Sequence, residues 1–111
     1  NKTGIYPSNH GMVIKRSVAE EHPWAALNLL KAYVQANEIT NQRRIEHVEY
    51  YVRAGLVDGD SATALTQSIV KHGIRANRLT LETAAQYSHE QGLTPRLMKL
   101  EEVFAKTTMD Q

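Results

Sequence analysis

The sequence contains no cysteine, and charge of neither sign is in excess, since 13 Lys and Arg stand against 12 Asp and Glu. Without cysteine the chain can form no disulfide, bind no zinc through thiolates and use no cysteine nucleophile. The charge balance argues against nucleic acid as a partner. No apolar run approaches the roughly 18 residues that a membrane span requires. A chain of 111 residues with this composition predicts one modest globular domain.

Helical spacing of apolar residues runs through most of the chain. Trp24, Leu27 and Leu30 share one face of the clearest predicted helix, and Ile45, Val48 and Val52 share a face further along. Each predicted helix boundary is marked by a proline, a glycine or a residue whose side chain can cap the helix. They are Pro23 at a helix start, a capping Asn41, Gly55, a capping Asp60 or Ser61 for a helix to about Val70, Gly73, Gly92, and a last helix at about 99–105.

The stretch at residues 11–16 reads differently, because Met12, Val13 and Ile14 form a short apolar run between a glycine and charged residues. Such a run is typical of a buried strand. Ser17 with Glu20 three positions later then predicts a capping box for the first helix. A single strand cannot satisfy its own backbone groups, so its partners are expected in missing sequence or in another copy.

The polar residues offer one candidate site. Tyr6, Asn9 and His10 cluster on a turn before the predicted strand, where loops on a sheet commonly meet ligands. The alternative is a polar turn that caps its own backbone. The five histidines show no pair at i, i+4, so the sequence predicts no metal site. Ser88, His89 and Glu90 are consecutive on a predicted helix and point about 100° apart, which excludes a catalytic triad.

Two runs, "GIYPSNHGMVIKRSVAEEHPWAALNLLKAYVQA" and "HGIRANRLTLETAAQYSHEQGLTPRLMKLEEVFA", resemble the 4,5-dihydroxyphthalate decarboxylase family. The more specific elements are "SHEQGL" and the "NH" before the predicted strand. That family has the type II periplasmic-binding-protein fold, which it shares with solute receptors. The chain departs from the family at Lys71 and His72, where relatives usually carry a Pro-x-Pro-Tyr-Gly-like approach to the last long helix.

The resemblance implies an α/β parent fold, of which this chain is the mostly helical C-terminal segment with one main strand near residues 11–16. Residues 1–16 would be a hinge turn and strand, 17–105 helices and 106–111 a tail. The N-terminal two thirds of a two-lobed protein, with most of its cleft, would lie outside this sequence. Self-association of the segment is expected, because its strand edge and helix faces would be exposed.

The function implied is that of an aromatic-carboxylate decarboxylase, a cytoplasmic carbon–carbon lyase that uses no cofactor and no metal. His10 would be its catalytic acid, and Tyr6, Asn9 and His10 would bind a small aromatic carboxylate or another small anion. The alternative is a solute-binding protein of an ABC-type transporter, which binds a small anion without catalysis. A signal peptide on the parent would favour that receptor and a periplasmic location.

Overall fold

The computed structural model describes residues 3–5, 8, 10–68 and 70–111, and this part of the chain is mostly helical. None of its helices is long and apolar enough to cross a membrane. The elements are α1 (Arg16–Glu21), α2 (Pro23–Arg53), α3 (Gly59–Thr66), α4 (Ile74–Glu90) and α5 (Leu100–Val103), followed by a 3₁₀ turn at Lys106–Thr108.

The predicted main strand at residues 11–16 is wrong, although the described part of the chain is mostly helical, as expected. No strand occurs in the described ranges, and Arg16 is already the first residue of α1. Met12 is 59% exposed and Val13 is 91% exposed. A strand needs a neighbouring strand to take up its backbone N–H and C=O groups, and the described residues supply none.

The start of α1 also differs from the prediction. Lys15 occupies the N-cap position and makes no side-chain capping bond, so the predicted capping box of Ser17 and Glu20 does not form. Pro23 does begin a helix, as predicted. Its missing N–H costs nothing at the first helical position, where no intrahelical acceptor exists.

Helix α2 is one continuous helix, whereas the sequence predicted a break with a new helix capped by Asn41. The stretch around Asn41 contains neither glycine nor proline to stop the helix. Thr40 satisfies its hydroxyl within the helix by donating to the carbonyl of Ala36 at 2.8 Å. The end of α2 is as predicted, because Gly55 adopts a φ of 70° that terminates the helix.

Helix α3 is capped by Asp58 and not by Asp60 or Ser61. The backbone N–H of Ser61 donates to Oδ1 of Asp58 at 2.9 Å, and the Ser61 hydroxyl donates to Oδ2 at 2.7 Å. These bonds, led by the backbone one, hold the pKa of Asp58 below its usual value of 3.8. The helix ends at Thr66, before the predicted end at about Val70.

The chain divides into two compact units. The terminal unit comprises residues 1–30 and 72–111. Its buried apolar residues are Ala26, Ile74 and Leu100. The predicted tail takes part in this unit, because the carbonyl of Gln111 accepts a hydrogen bond of 2.8 Å from the N–H of Arg75 in the first turn of α4.

The central unit comprises residues 31–71, with the longer part of α2 and all of α3. Val48 is its one buried apolar residue among those described. Hydrogen bonds from two side chains of α2 join this helix to the end of α3. Arg44 donates from Nη2 to the carbonyl of Gln67 at 3.1 Å, and Asn41 donates from Nδ2 to Oγ of Ser68 at 3.1 Å.

Candidate functional site

The turn predicted to bind ligand is described only in part. Tyr6 and Asn9 lie outside the described residues, so their predicted roles stay predictions. His10 is exposed, and its backbone carbonyl accepts a hydrogen bond from the hydroxyl of Ser8 at 3.3 Å. Because no strand follows, His10 does not stand at the mouth of a buried strand. The described part of this turn is an exposed polar segment with an accessible imidazole.

The "HPW" run forms the joint between α1 and α2. The rings of His22 and Trp24 lie 5.6 Å apart at an interplanar angle of 47°, and Trp24 remains 61% exposed. The carbonyl of Pro23 accepts a hydrogen bond from the hydroxyl of Thr107 at 3.1 Å. The run thus lies at the start of α2, where the carbonyl of Pro23 is bonded to Thr107 and the side chain of Trp24 is largely exposed to solvent.

The "YSHEQGL" run ends α4 through a Schellman motif. Gly92 has a φ of 72°, and the N–H of Leu93 donates to the carbonyl of Ser88 at 2.8 Å. The N–H of Gly92 donates to the carbonyl of His89 at 2.9 Å. These bonds satisfy the last carbonyls of the helix, so the run has a structural role in addition to its family resemblance.

The side chains of His89 and Glu90 each contact a residue outside this run. Nδ1 of His89 lies 3.4 Å from the carbonyl oxygen of Thr94, beyond the helix end. The carboxylate of Glu90 accepts a 2.7 Å hydrogen bond from the amide of Gln86, one turn earlier. Glu90 therefore has a partner on its own helix, away from the His89 contact.

A groove that the sequence analysis did not predict lies between α4 and residues 97–101. It has a volume of about 350 Å³. Its apolar lining includes Ala85, Leu97 and Met98, and its charged lining is balanced. Arg78 is paired with Glu82 through a 2.9 Å contact between Nη1 and Oε1. The groove is open to solvent, and its lining offers no surplus positive charge to a dicarboxylate. The one feature of its lining that the sequence pattern indicates is the contact of Arg78 with Glu82, through their i, i+4 spacing.

An ion pair that the sequence also failed to predict holds the segment before α5. Arg96 donates to both carboxylate oxygens of Glu102, at 2.6 and 2.9 Å. Oε2 of Glu102 also accepts the backbone N–H of Lys99 at 3.0 Å. These bonds, with Arg96 contributing most, lower the pKa of the Glu102 carboxyl to about 2. Both side chains are exposed, so the pair orders local backbone and adds little to overall stability.

No three His, Asp or Glu residues of the described ranges lie together in a group that could hold a metal ion. The described part of the chain therefore offers an exposed imidazole at His10, an aromatic pair at the α1–α2 joint and a charge-balanced groove beside α4. These features lie on different segments. Comparison with known proteins finds no family model, no curated protein and no solved structure that matches the chain.

Proposed function

We propose that the chain is part of a decarboxylase of the 4,5-dihydroxyphthalate type, which acts on a small aromatic carboxylate without a cofactor. In this reaction the dihydroxylated ring first tautomerises, so that a proton joins the ring carbon that bears one carboxylate and a ring hydroxyl becomes a carbonyl. The bond between that carbon and the carboxylate then breaks, carbon dioxide leaves, and the electron pair of the bond restores the aromatic ring, giving a dihydroxybenzoate. His10 supplies that proton, and Tyr6 and Asn9 hold the substrate's oxygens.

The observation that carries the proposal is the length of the resemblance, which covers residues 4–36 and 72–105. The exposed imidazole of His10 supports the assignment of the acid, because a proton donor must be reachable by the substrate. The "SHEQGL" run carries less weight, since a Schellman motif gives it a backbone role. The proposal therefore rests on the resemblance in sequence and not on the fold. We propose a cytoplasmic location for the protein on the same resemblance.

The test is an assay of carbon dioxide release from 4,5-dihydroxyphthalate. It uses both the 111-residue chain and the whole reading frame that encodes it. His10→Ala should lower turnover by at least about tenfold, because general acid catalysis contributes about 10²–10⁴-fold to such steps. His47→Ala is the matched control, since His47 is an exposed histidine on α2. Equal turnover in both variants would remove His10 from the mechanism.

Calorimetric titration of the same proteins with the same compound separates the enzyme from the solute-binding alternative. Binding together with carbon dioxide release supports the decarboxylase. Binding without release, unaffected by His10→Gln, would favour a receptor for a small anion. Absence of both from the product of the whole reading frame would overturn the proposal.

A further inference from the structure

The first turn of α3 places an aspartate directly before a glycine at an exposed position of the central unit. Asp58 is the N-cap of α3 and Gly59 is its first residue, and both are exposed. The sequence has six glycines, and the other five follow residues that are neither Asp nor Asn. The peptide bond between Asp58 and Gly59 is therefore the one place where an acid or amide side chain of this type precedes a residue without a Cβ.

An aspartate in this position rearranges its main chain with water as the only co-reactant. The backbone nitrogen of Gly59 attacks Cγ of the neutral Asp58 carboxyl and loses its proton, and a carboxyl oxygen leaves as water. A cyclic imide results. Water then adds to one of the two imide carbonyls and breaks its bond to the nitrogen, which gives either aspartate or isoaspartate. One water leaves and one returns, so the mass of the chain is unchanged.

The nitrogen of Gly59 is open to this reaction. As the first residue of α3, Gly59 has no acceptor for its N–H within the helix, so no bond of the helix ladder holds the nitrogen. A Cβ at Gly59 would meet no atom within 4 Å beyond the adjoining backbone. In other residues a side chain fills this space and hinders the attack.

The cap of α3 protects the same peptide bond while the helix is closed. Oδ1 of Asp58 accepts the backbone N–H of Ser61 at 2.9 Å, and Oδ2 accepts its hydroxyl at 2.7 Å. The backbone bond first and the hydroxyl bond second favour the charged carboxylate, which holds the pKa of Asp58 below its usual value. A carboxylate is a poor electrophile, so the reaction proceeds from the open state of the helix.

The closed state of α3 depends mainly on hydrogen bonds. None of its residues is buried. Its far end is held by Arg44, which donates from Nη2 to the carbonyl of Gln67 at 3.1 Å. A segment with few buried contacts and an exposed backbone opens locally at low cost. The protected and the reactive states of Asp58 are therefore linked by a local opening of the central unit.

We propose that Asp58 is a site of spontaneous isoaspartate formation, which is reached when α3 opens and is suppressed by the cap on Ser61. Isoaspartate adds a carbon to the main chain between residues 58 and 59 and leaves the free carboxylate on Cα. This carboxylate no longer lies where the N–H and hydroxyl of Ser61 donate, so the modified α3 loses its cap. The proposal is independent of the decarboxylase assignment, since it uses no residue of the opening turn.

Prolonged incubation of the purified chain at neutral pH, followed by tryptic peptide mapping, tests the proposal. Cleavage after Arg53 and Lys71 releases one peptide that contains both Asp58 and Asp60. An isoaspartyl isomer has the same mass but a different retention time, and electron-transfer fragmentation assigns it to one aspartate. Asp60 is the control within the chain, because it is exposed in the same turn but precedes a serine. Isoaspartate should accumulate at Asp58 ahead of Asp60, and equal accumulation would overturn the proposal.

Variants at Arg44 and Arg43 test the link to helix opening without changing the reacting residues. Arg44→Met should speed isoaspartate formation at Asp58 at least about fivefold, because it removes hydrogen bonds that hold α3 closed. Arg43→Met should leave the rate unchanged, since Arg43 is exposed. Amide exchange at residues 59–66 measures the opening in the same samples. Faster exchange without faster isoaspartate formation would overturn the proposal, as would a chain in which neither variant forms isoaspartate at Asp58.

Gly59→Ala separates the chemistry from the opening. Gly59 is not among the glycines with a positive φ, and its Cβ position is free, so the variant should fold. Isoaspartate formation at Asp58 should fall by a larger factor than amide exchange at residues 59–66, because the new side chain shields the attacking nitrogen. A fall no larger than that of the exchange would overturn the role assigned to Gly59.

Discussion

Each of the two units of the chain is stabilised internally by a different kind of interaction. The terminal unit buries Ile74 and Leu100 to 4% and 5% exposure. The central unit buries Val48 alone among its described residues, and Arg44 reaches from α2 to the carbonyls at the end of α3. Apolar burial is proportional to area and tolerant of small shifts, whereas hydrogen bonds require fixed geometry. We therefore expect the central unit to open at lower cost than the terminal unit.

The largest expected effect is on the terminal unit, through Leu100→Ala. Truncation leaves a cavity beside α5 and should lower the free energy of unfolding by about 2–4 kcal/mol. Urea denaturation followed by circular dichroism measures it. Leu56→Ala is the control, since Leu56 is 71% exposed in the central unit and should change stability by less than about 0.5 kcal/mol. Equal losses in both variants would contradict the burial of Leu100 in the terminal unit.

A pair of glycine substitutions compares the backbone of the two units. Gly73 has a φ of 91° and a ψ of 159°, and a Cβ there would lie 2.6 Å from the carbonyl oxygen of Gln111. Gly73→Ala should therefore cost about 2–3 kcal/mol of unfolding free energy. Gly55 has a φ of 70° with nothing within 4 Å of its Cβ position, so Gly55→Ala should cost about 1 kcal/mol. The same urea titration ranks them, and a costlier Gly55→Ala would refute the close approach to Gln111.

Removal of the guanidinium of Arg44 tests the hydrogen bonds that stabilise the central unit. Arg44→Met keeps the aliphatic stem but deletes the bonds to Gln67 and to Oδ1 of Asn41, which are 3.1 and 2.9 Å long. The expected loss is about 1–2 kcal/mol in the local opening free energy of α3. Amide hydrogen exchange at residues 59–66 measures it. Arg43→Met is the control, because Arg43 is exposed, and faster exchange in that variant as well would argue against the role of Arg44.

The helix boundaries that were predicted correctly depend on the residue itself. Gly55 and Gly92 end helices because a positive φ is open to glycine at little cost, and Pro23 begins one because it has no N–H to lose. These preferences act over a few residues and need no knowledge of the rest of the molecule. They are the part of the fold that the sequence predicts reliably.

The errors occur where a residue's role depends on a distant partner. Asn41 looked like a helix cap, but its amide bonds to Ser68, 27 positions away. Met12 and Val13 have the composition of a strand, yet a strand exists only when another strand pairs with it. In the candidate site, Arg96 and Glu102 are six positions apart, a spacing that matches neither a helix turn nor a known motif.

That pair also gives the smallest expected effect, which concerns pH. The carboxyl of Glu102 has its pKa lowered from 4.5 to about 2, chiefly by the hydrogen bonds from Arg96. A lowered folded-state pKa means that the folded chain holds this proton less tightly than the unfolded chain. The stabilisation is therefore present above pH 4.5 and is lost as the pH falls towards 2.

Carbon-detected NMR titration of the Glu102 carboxyl should give a midpoint near 2. In Glu102→Gln, the free energy of unfolding should depend less on pH between 4.5 and 2 than in the wild type, because the carboxyl is absent. Glu101→Gln is the control, since Glu101 is the adjacent exposed carboxyl on α5. Because the pair is exposed, salt should weaken the effect. A midpoint near 4.5 would mean that Arg96 does not hold Glu102 in solution.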